Sequence, residues 1–524
     1  MRENSRSRSA RPRAGARSST PPGGAVDGFV NMVGGFRPGW EAQAPRSVSF
    51  AEFRRVVRRF RPSALLPELA RLSVLLDQVP QDHPLFRTSP PWAMVLAARE
   101  SILYSNEHRS DVVTDDDLRV LFNTHSAIDE VDANPEDFNP LKLIVRIAYE
   151  QFPYQESLFE EVSRTHALMV DGADRVPGLQ VLDDSAWDQL LGAPPGLMVG
   201  ATFFLQVAAN QNNGWYDPKW LDQPNFAPVL EQWPREVLEL RAEQLSSTVE
   251  EFRADYRQAP KPEPGFERYA YNPLVARPFI TMPGGRLLAP QPRLILRTIS
   301  PDGLYYRGMA AFGKPFGADL GRLTEQYVGR QLEVLGAHAD IYPEVVFGKE
   351  QKKSVDWFAV LPNVVLMVES KSARFGLLER SASPGFEKSV TDRLNFATGQ
   401  LLRTSKALDA ELLEFAHIPR DRKRIGIIVT SEPHYMVNSP WMRERIVQPQ
   451  FPTLVASLRD LEHLMSLPPH TLGERLLAIV SDPDRSTWSL GNALGPRVDA
   501  RNPILDAAWE SYPWLVAPGD APAS

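Results

Sequence analysis

The sequence predicts an α/β protein, with a mainly α-helical N-terminal domain followed by a mixed β-sheet core flanked by helices. Three observations carry that prediction. Apolar residues recur at helical spacing in the first half. A Pro-rich stretch, Ala259-Pro-Lys-Pro-Glu-Pro-Gly-Phe266, then interrupts the pattern as a stiff linker would. Beyond it, β-branched runs alternate with long helical segments, as in sheets covered by helices. The length of 524 residues also exceeds the roughly 100–200 expected for one domain.

Residues 1–26 place Arg2, Arg6, Arg8, Arg11, Arg13 and Arg17 among Ser, Pro and Gly. Such a segment buries no apolar surface and is expected to be a disordered, solvated tail, with a sequence-independent phosphate-binding arm as the alternative. Residues 27–258 are expected to form the helical domain. There Phe53, Val56, Val57 and Phe60 follow i, i+3, i+4, i+7 spacing behind Ser49 as a cap. Arg54, Arg55, Arg58, Arg59 and Arg61 fall on the other face, which reads first as an ordinary solvated surface. Leu141–Phe152 and Leu230–Tyr256 suggest further helices. The linker is expected over 259–270 and the α/β domain over 271–480. Within that domain the expected order is a hairpin around Pro283-Gly284-Gly285, a helix near 318–335, and strands at 341–347, 354–361 and 364–371. A helix near 385–415, a strand at 424–430, a short strand at 454–456 and a helix capped by Ser457 and Asp460 complete it. Residues 481–524, rich in Pro, Asp and Gly, are expected to be a loosely packed tail.

Composition excludes several function classes. The chain has no cysteine, so a disulfide scaffold, a thiol nucleophile, a Cys-ligated zinc and an iron–sulfur cluster are ruled out. A metal must therefore be held by oxygen or imidazole ligands. The nine histidines, His417 and His434 included, show no His-Glu-x-x-His pattern and read as ordinary polar residues. Phosphate-loop and nucleophile-elbow signatures are missing. Net charge is −7, so nucleic-acid binding would need a local basic surface. The most apolar stretch, Leu197–Ala209, is about 13 residues and contains Gln206, against about 20 for a membrane span. With no secretory signal pattern near the start, a cytoplasmic location without a membrane partner is expected.

The residues that carry chemistry lie in Ser354-Val-Asp-Trp-Phe-Ala-Val-Leu361, Pro362-Asn363 and Val364-Val-Leu-Met-Val-Glu-Ser-Lys371. Pro-Asn is a turn signal between two strand-like flanks. A hairpin symmetric about it sets Asp356 directly opposite Glu369. Side-chain alternation puts Asp356, Phe358 and Val360 on one face with Val365, Met367, Glu369 and Lys371. Val355, Trp357, Ala359 and Leu361 share the other face with Val364, Leu366, Val368 and Ser370. Both faces are largely apolar, which marks a central, buried strand pair. Two carboxylates opposed there stand about 5 Å apart and repel, a conflict that a divalent cation resolves. Mg²⁺ suits one or two carboxylates plus a substrate phosphate, with Mn²⁺ as a substitute. Lys371 shares the face of Glu369 and could orient an attacking water or offset charge on a phosphate.

Asp, an apolar hairpin, then Glu-x-Lys, with a helix before and after, resembles the PD-(D/E)xK nuclease superfamily, over about residues 315–465. The resemblance implies a restriction-endonuclease-like mixed-sheet core and Mg²⁺-dependent hydrolysis of phosphodiester bonds, in DNA before RNA. It implies Asp356 and Glu369 as metal ligands and Lys371 as the catalytic lysine. Glu325, in Leu323-Thr-Glu-Gln-Tyr-Val-Gly329, matches a Glu that many members carry on the preceding helix as a further ligand. Gln400, in Gly399-Gln-Leu-Leu-Arg403, matches a Gln that RecB-like members carry on the following helix. Two departures stand out: Val355 replaces the proline before the first Asp, and Thr404 replaces a tyrosine four residues beyond the Gln.

Other readings sit beside these. Glu325 could be a helix carboxylate paired with Arg322 or Arg330, and Gln400 a surface amide. Lys371 could neutralise Asp356 and Glu369 structurally, which still leaves one negative charge over. Glu350-Gln351-Lys352 is a second Glu-x-Lys, in a polar turn. Lys349, Lys352, Lys353, Arg374, Lys388, Arg393, Arg403 and Lys406 could track a phosphodiester backbone or be solvated charges. The leading alternative to a nuclease is a lapsed nuclease-like fold serving as a nucleic-acid-binding or scaffold protein. A phosphoesterase acting on small nucleotides is a further one, and a homodimer stays open.

Overall fold

The structure is a computed structural model that describes residues 47–80, 83–128, 140–151, 154, 157–262, 264–372, 374, 380–382, 385–435, 437–495 and 501–512. The expected tail at 1–26 lies outside them, as does 513–524. Its centre is a five-stranded sheet of β1 (Asp340–Pro343), β2 (Trp357–Val360), β3 (Val364–Lys371), β4 (Lys423–Thr430) and β5 (Thr453–Ser457). The spatial order is β5-β4-β3-β2-β1. β1, β2 and β3 pair antiparallel, whereas β4 runs parallel to both β3 and β5, so the sheet is mixed.

The β2–β3 register pairs Trp357 with Val368, Phe358 with Met367, Ala359 with Leu366 and Val360 with Val365. This is the register a turn at Pro362-Asn363 dictates, and the Leu361 amide closes it on the Val364 carbonyl at 2.9 Å. Two helices sandwich the strands. Trp357, Ala359, Leu366 and Val368 pack in the cluster that contains Leu320, Leu323 and Tyr327 of the helix Lys314–Glu333. Phe358, Val365 and Met367 pack with Leu394, Ala397 and Leu401 of the helix Phe386–Asp409. Val355 departs from the expected face. It joins the second cluster because it lies ahead of the β2 ladder and donates its amide to Thr404 Oγ at 2.9 Å.

The expected partition at 259–270 does not separate two cores. Val162, Leu168, Trp187 and Met198 lie in one buried cluster with Leu320, Leu366 and Leu464. Phe53, Leu69 and Met94 lie in another with Ile280 and Leu288. The hairpin of Phe279–Thr281 and Leu287–Leu288 forms, and its neighbours are Ser246–Ser247 and Trp215–Tyr216 from the first half. The Pro-rich segment is likewise fastened, since the buried Arg99 guanidinium donates to the Glu267 and Ala270 carbonyls, both at 2.7 Å.

Local signals fared better. Ser49 caps the helix Phe50–Val57, and Ser457 with Asp460 forms the expected capping box. The helical run over 230–256 breaks at Ser246–Ser247, where Thr248 and Glu251 cap a new helix, Val249–Gln258. The expected tail at 481–524 contains the helix Pro503–Glu510, whose Ala508 joins the main core together with Tyr512. A helical stretch at Ser185–Gln211 is long and apolar enough to cross a membrane by composition, and 56% of its apolar window is buried inside the protein.

Four helices take labels in chain order: α1 (Leu158–Thr165), α2 (Lys314–Glu333), α3 (Phe386–Asp409) and α4 (Leu458–Met465).

Candidate active site

The carboxylates converge where the β2–β3 hairpin opens. β2 begins at Trp357, so Asp356 sits one residue ahead of the ladder. Asp356 Oδ2 accepts from the Ser370 amide at 2.7 Å and from Ser370 Oγ at 2.6 Å. The Asp is thereby clamped to the residue after Glu369. Alternation alone put Ser370 on the opposite face, so this partner was missed, and its one signal was its place beside Glu369 at the strand end.

Glu369 is fully buried. Its Oε1 accepts a short hydrogen bond from Lys371 Nζ, while its Oε2 has no partner among the described residues. Lys371 Nζ also donates to Gln400 Oε1 on α3 at 2.9 Å. The structure thus brings Lys371, Glu369 and Gln400 together. Thr404, at the position where the resembling family commonly has a tyrosine, accepts from the Val355 amide.

Glu325 arrives from α2. The Trp357 indole nitrogen donates to the Glu325 carbonyl at 2.8 Å. A Cβ on Gly329 would stand 2.2 Å from the Trp357 ring, so glycine is what lets the helix lie so close. Glu325 is half-buried and makes no ion pair with Arg322 or Arg330, which bond main-chain carbonyls at 177, 178 and 167.

The electrostatics follow from this crowding. Burial, then the charges of Asp356 and Glu344, push the Glu325 carboxyl up to about 7. Burial and Asp356 push Glu369 up to about 8, against the opposing pull of Lys371. Each carboxylate is thus penalised for its charge chiefly by lost water and next by its acidic neighbours. An unpartnered buried carboxylate oxygen among oxygen-only donors suits a hard divalent cation, with Asp356 and Glu369 holding it and Glu325 in reserve. Among the described residues, no three His, Asp or Glu side chains are arranged as a ligand cluster.

The surrounding cations divide. Lys352 pairs with Glu350 at 2.7 Å, which makes the second Glu-x-Lys an exposed turn pair. Lys353 pairs with Glu344 at 3.0 Å, and Lys388 with Asp392 at 2.5 Å. Arg374 is buried, with its guanidinium against Asp302. Sequence reasoning also missed Phe396, which stands 66% exposed with its ring centroid 5.3 Å from Lys371 Nζ. An isolated aromatic on a helix gives no sequence signal of that placement.

No protein-family model matches this chain, and no curated protein shows significant similarity to it.

Proposed function

We propose that the protein is a Mg²⁺- or Mn²⁺-dependent nuclease of the PD-(D/E)xK type, hydrolysing phosphodiester bonds in nucleic acid, DNA before RNA, and that its sheet is a restriction-endonuclease-like core. The observation that carries this is Glu369. A fully buried carboxylate with one orphan oxygen, beside a second carboxylate and a lysine, is a costly arrangement for stability alone. The sequence α2, three antiparallel strands, α3 and a parallel strand supports the reading, with Glu325 on the first helix, Asp356, Glu369 and Lys371 at the strand ends and Gln400 on the second helix.

The division of labour follows from the contacts. Ser370 fixes Asp356, and burial holds Glu369 rigid. Gln400 and Glu369 restrain the Lys371 ammonium, which can stabilise charge on the phosphate and hold the attacking water in line. A divalent cation bound between Asp356 and Glu369 would supply an acidified water and neutralise the leaving oxygen. As charge builds on the phosphate, Lys371 is the protein's own counter-charge. The cytoplasm is the proposed setting, with no membrane partner.

A second reading has its own observation. The Lys371–Glu369 pair, in which the lysine neutralises the buried acid, suits a lapsed nuclease-like fold that binds nucleic acid as a scaffold. One assay separates the two. Full-length protein is incubated with plasmid, linear duplex, single strand and RNA, with Mg²⁺ or Mn²⁺, beside Lys371→Ala. Metal-dependent cleavage lost in Lys371→Ala is the expected result. No cleavage of any substrate would leave the scaffold reading.

A further inference from the structure

We infer that the pocket beside Lys371 receives an unstacked nucleobase that lies against the Phe396 ring, so that single-stranded or locally extruded nucleic acid is the preferred substrate. This rests on the nuclease reading for the phosphate and on the pocket for the base.

The pocket is a cavity of 370 Å³ bordered by Lys371, Arg393, Leu394, Phe396, Thr430 and His434. That volume falls at the lower end of small-molecule pockets, about 300–1,000 Å³. Leu394 and Ile428 give it an apolar floor, and Phe396 stands exposed at its rim. Asp392 also borders it and is engaged by Lys388, one turn earlier on α3.

Two features select the occupant. First, Lys371 belongs to both places: its ammonium bonds Glu369 and Gln400 and also lines the pocket beside Phe396. A phosphate held at that ammonium leaves its attached nucleoside beside the ring. Secondly, a phenyl face that solvent reaches, within a shallow apolar cavity, accepts any flat aromatic partner, and every base has one. In a duplex both faces of each base are covered by neighbours, so the contact requires a base that has left the stack.

The test uses full-length protein in chelator, which suppresses cleavage, and fluorescence anisotropy of short labelled strands at one salt concentration. The probes are a single strand, the matching duplex, and a strand of equal length and charge made wholly of abasic sugars. Wild type should bind the base-bearing single strand about tenfold more tightly than the other two. Phe396→Ala should lose that preference while holding its duplex affinity, and Phe396→Trp should restore it. Phe396 is exposed, so neither change disturbs the core, and a thermal melt checks this. Abasic and base-bearing strands bound equally by wild type, or equal binding of the single strand by wild type and Phe396→Ala, would overturn the inference. Base discrimination in a protein that cuts nothing would uphold the pocket and sink the nuclease reading. Metal-dependent cleavage of the single strand at equal rates in wild type and Phe396→Ala would uphold the nuclease and sink the pocket.

Discussion

The indole of Trp357 donates to the carbonyl of Glu325 at 2.8 Å, so the residue after Asp356 in the sheet holds the helix that presents the third acid. The Trp357 side chain therefore anchors α2 against the repulsion between Glu325 and Asp356.

That relationship can be broken from either side. Gly329→Ala would drive a methyl into the Trp357 ring, and overpacking of that kind costs about 1–3 kcal/mol. Trp357→Phe keeps most of the packing and loses the hydrogen bond, for about 1 kcal/mol. Urea unfolding of both variants checks the numbers. A Gly329→Ala protein as stable as wild type would show that the helix is not pinned there.

Lys371 and Gln400 should separate in kinetics. Under the nuclease reading, Lys371→Ala removes the counter-charge and lowers cleavage by about 10²–10⁴-fold. Gln400→Ala leaves the lysine in place with one restraint gone. Its kcat should fall about tenfold with KM nearly unchanged, since a positioning contact acts on the transition state. An equal loss in both variants would mean that Gln400 touches substrate itself.

The hairpin was legible because period-two alternation and a Pro-Asn turn leave one register. β3 spans Val364–Lys371, as the sequence indicates. Glu325 and Gln400 were legible only through resemblance, for nothing in a helix pattern says which of its faces meets a sheet end. The partition at 259–270 misled for a related reason. Proline marks a local break, but whether the flanking segments share a core depends on contacts such as Arg99 with Glu267 and Ala270, far apart in sequence. Ser370 escaped because Asp356 lies just outside the ladder, where alternation no longer constrains a short side chain.

The two raised carboxyls should each contribute less stability as pH rises. Glu325 and Glu369 titrate at about 7 and about 8 in the fold, against about 4.3 when unfolded. The folded state thus keeps protons that the unfolded chain gives up. Their contribution is fully present below the unfolded value and is lost as pH climbs through 7 and 8. In chelator, the Tm advantage of Glu369→Gln over wild type should grow between pH 6 and 9. Added Mg²⁺ should raise the wild-type Tm more at pH 9 than at pH 6, because a cation competes with protons for the same carboxylates. Thermal melts across that range check both, and a pH-independent difference would mean that Glu369 titrates normally.

The C-terminal half should not fold alone. Glu462 on α4 is buried, and Arg164 on α1 meets it with two hydrogen bonds at 2.8 and 2.7 Å. Tyr327 on α2 donates to the same carboxylate at 2.9 Å. A fragment starting at 271 strands that charge and uncovers the core against which Val162, Leu168 and Trp187 pack. Removing one partner of a buried pair costs about 3–5 kcal/mol, a large part of a typical stability of about 5–15 kcal/mol. Arg164→Ala should therefore lower stability by that amount in the full chain. The fragment 271–524 should lack near-ultraviolet circular dichroism, and co-expression with 27–258 should restore it. A folded, cooperative fragment on its own would show instead that the first half is a separable covering.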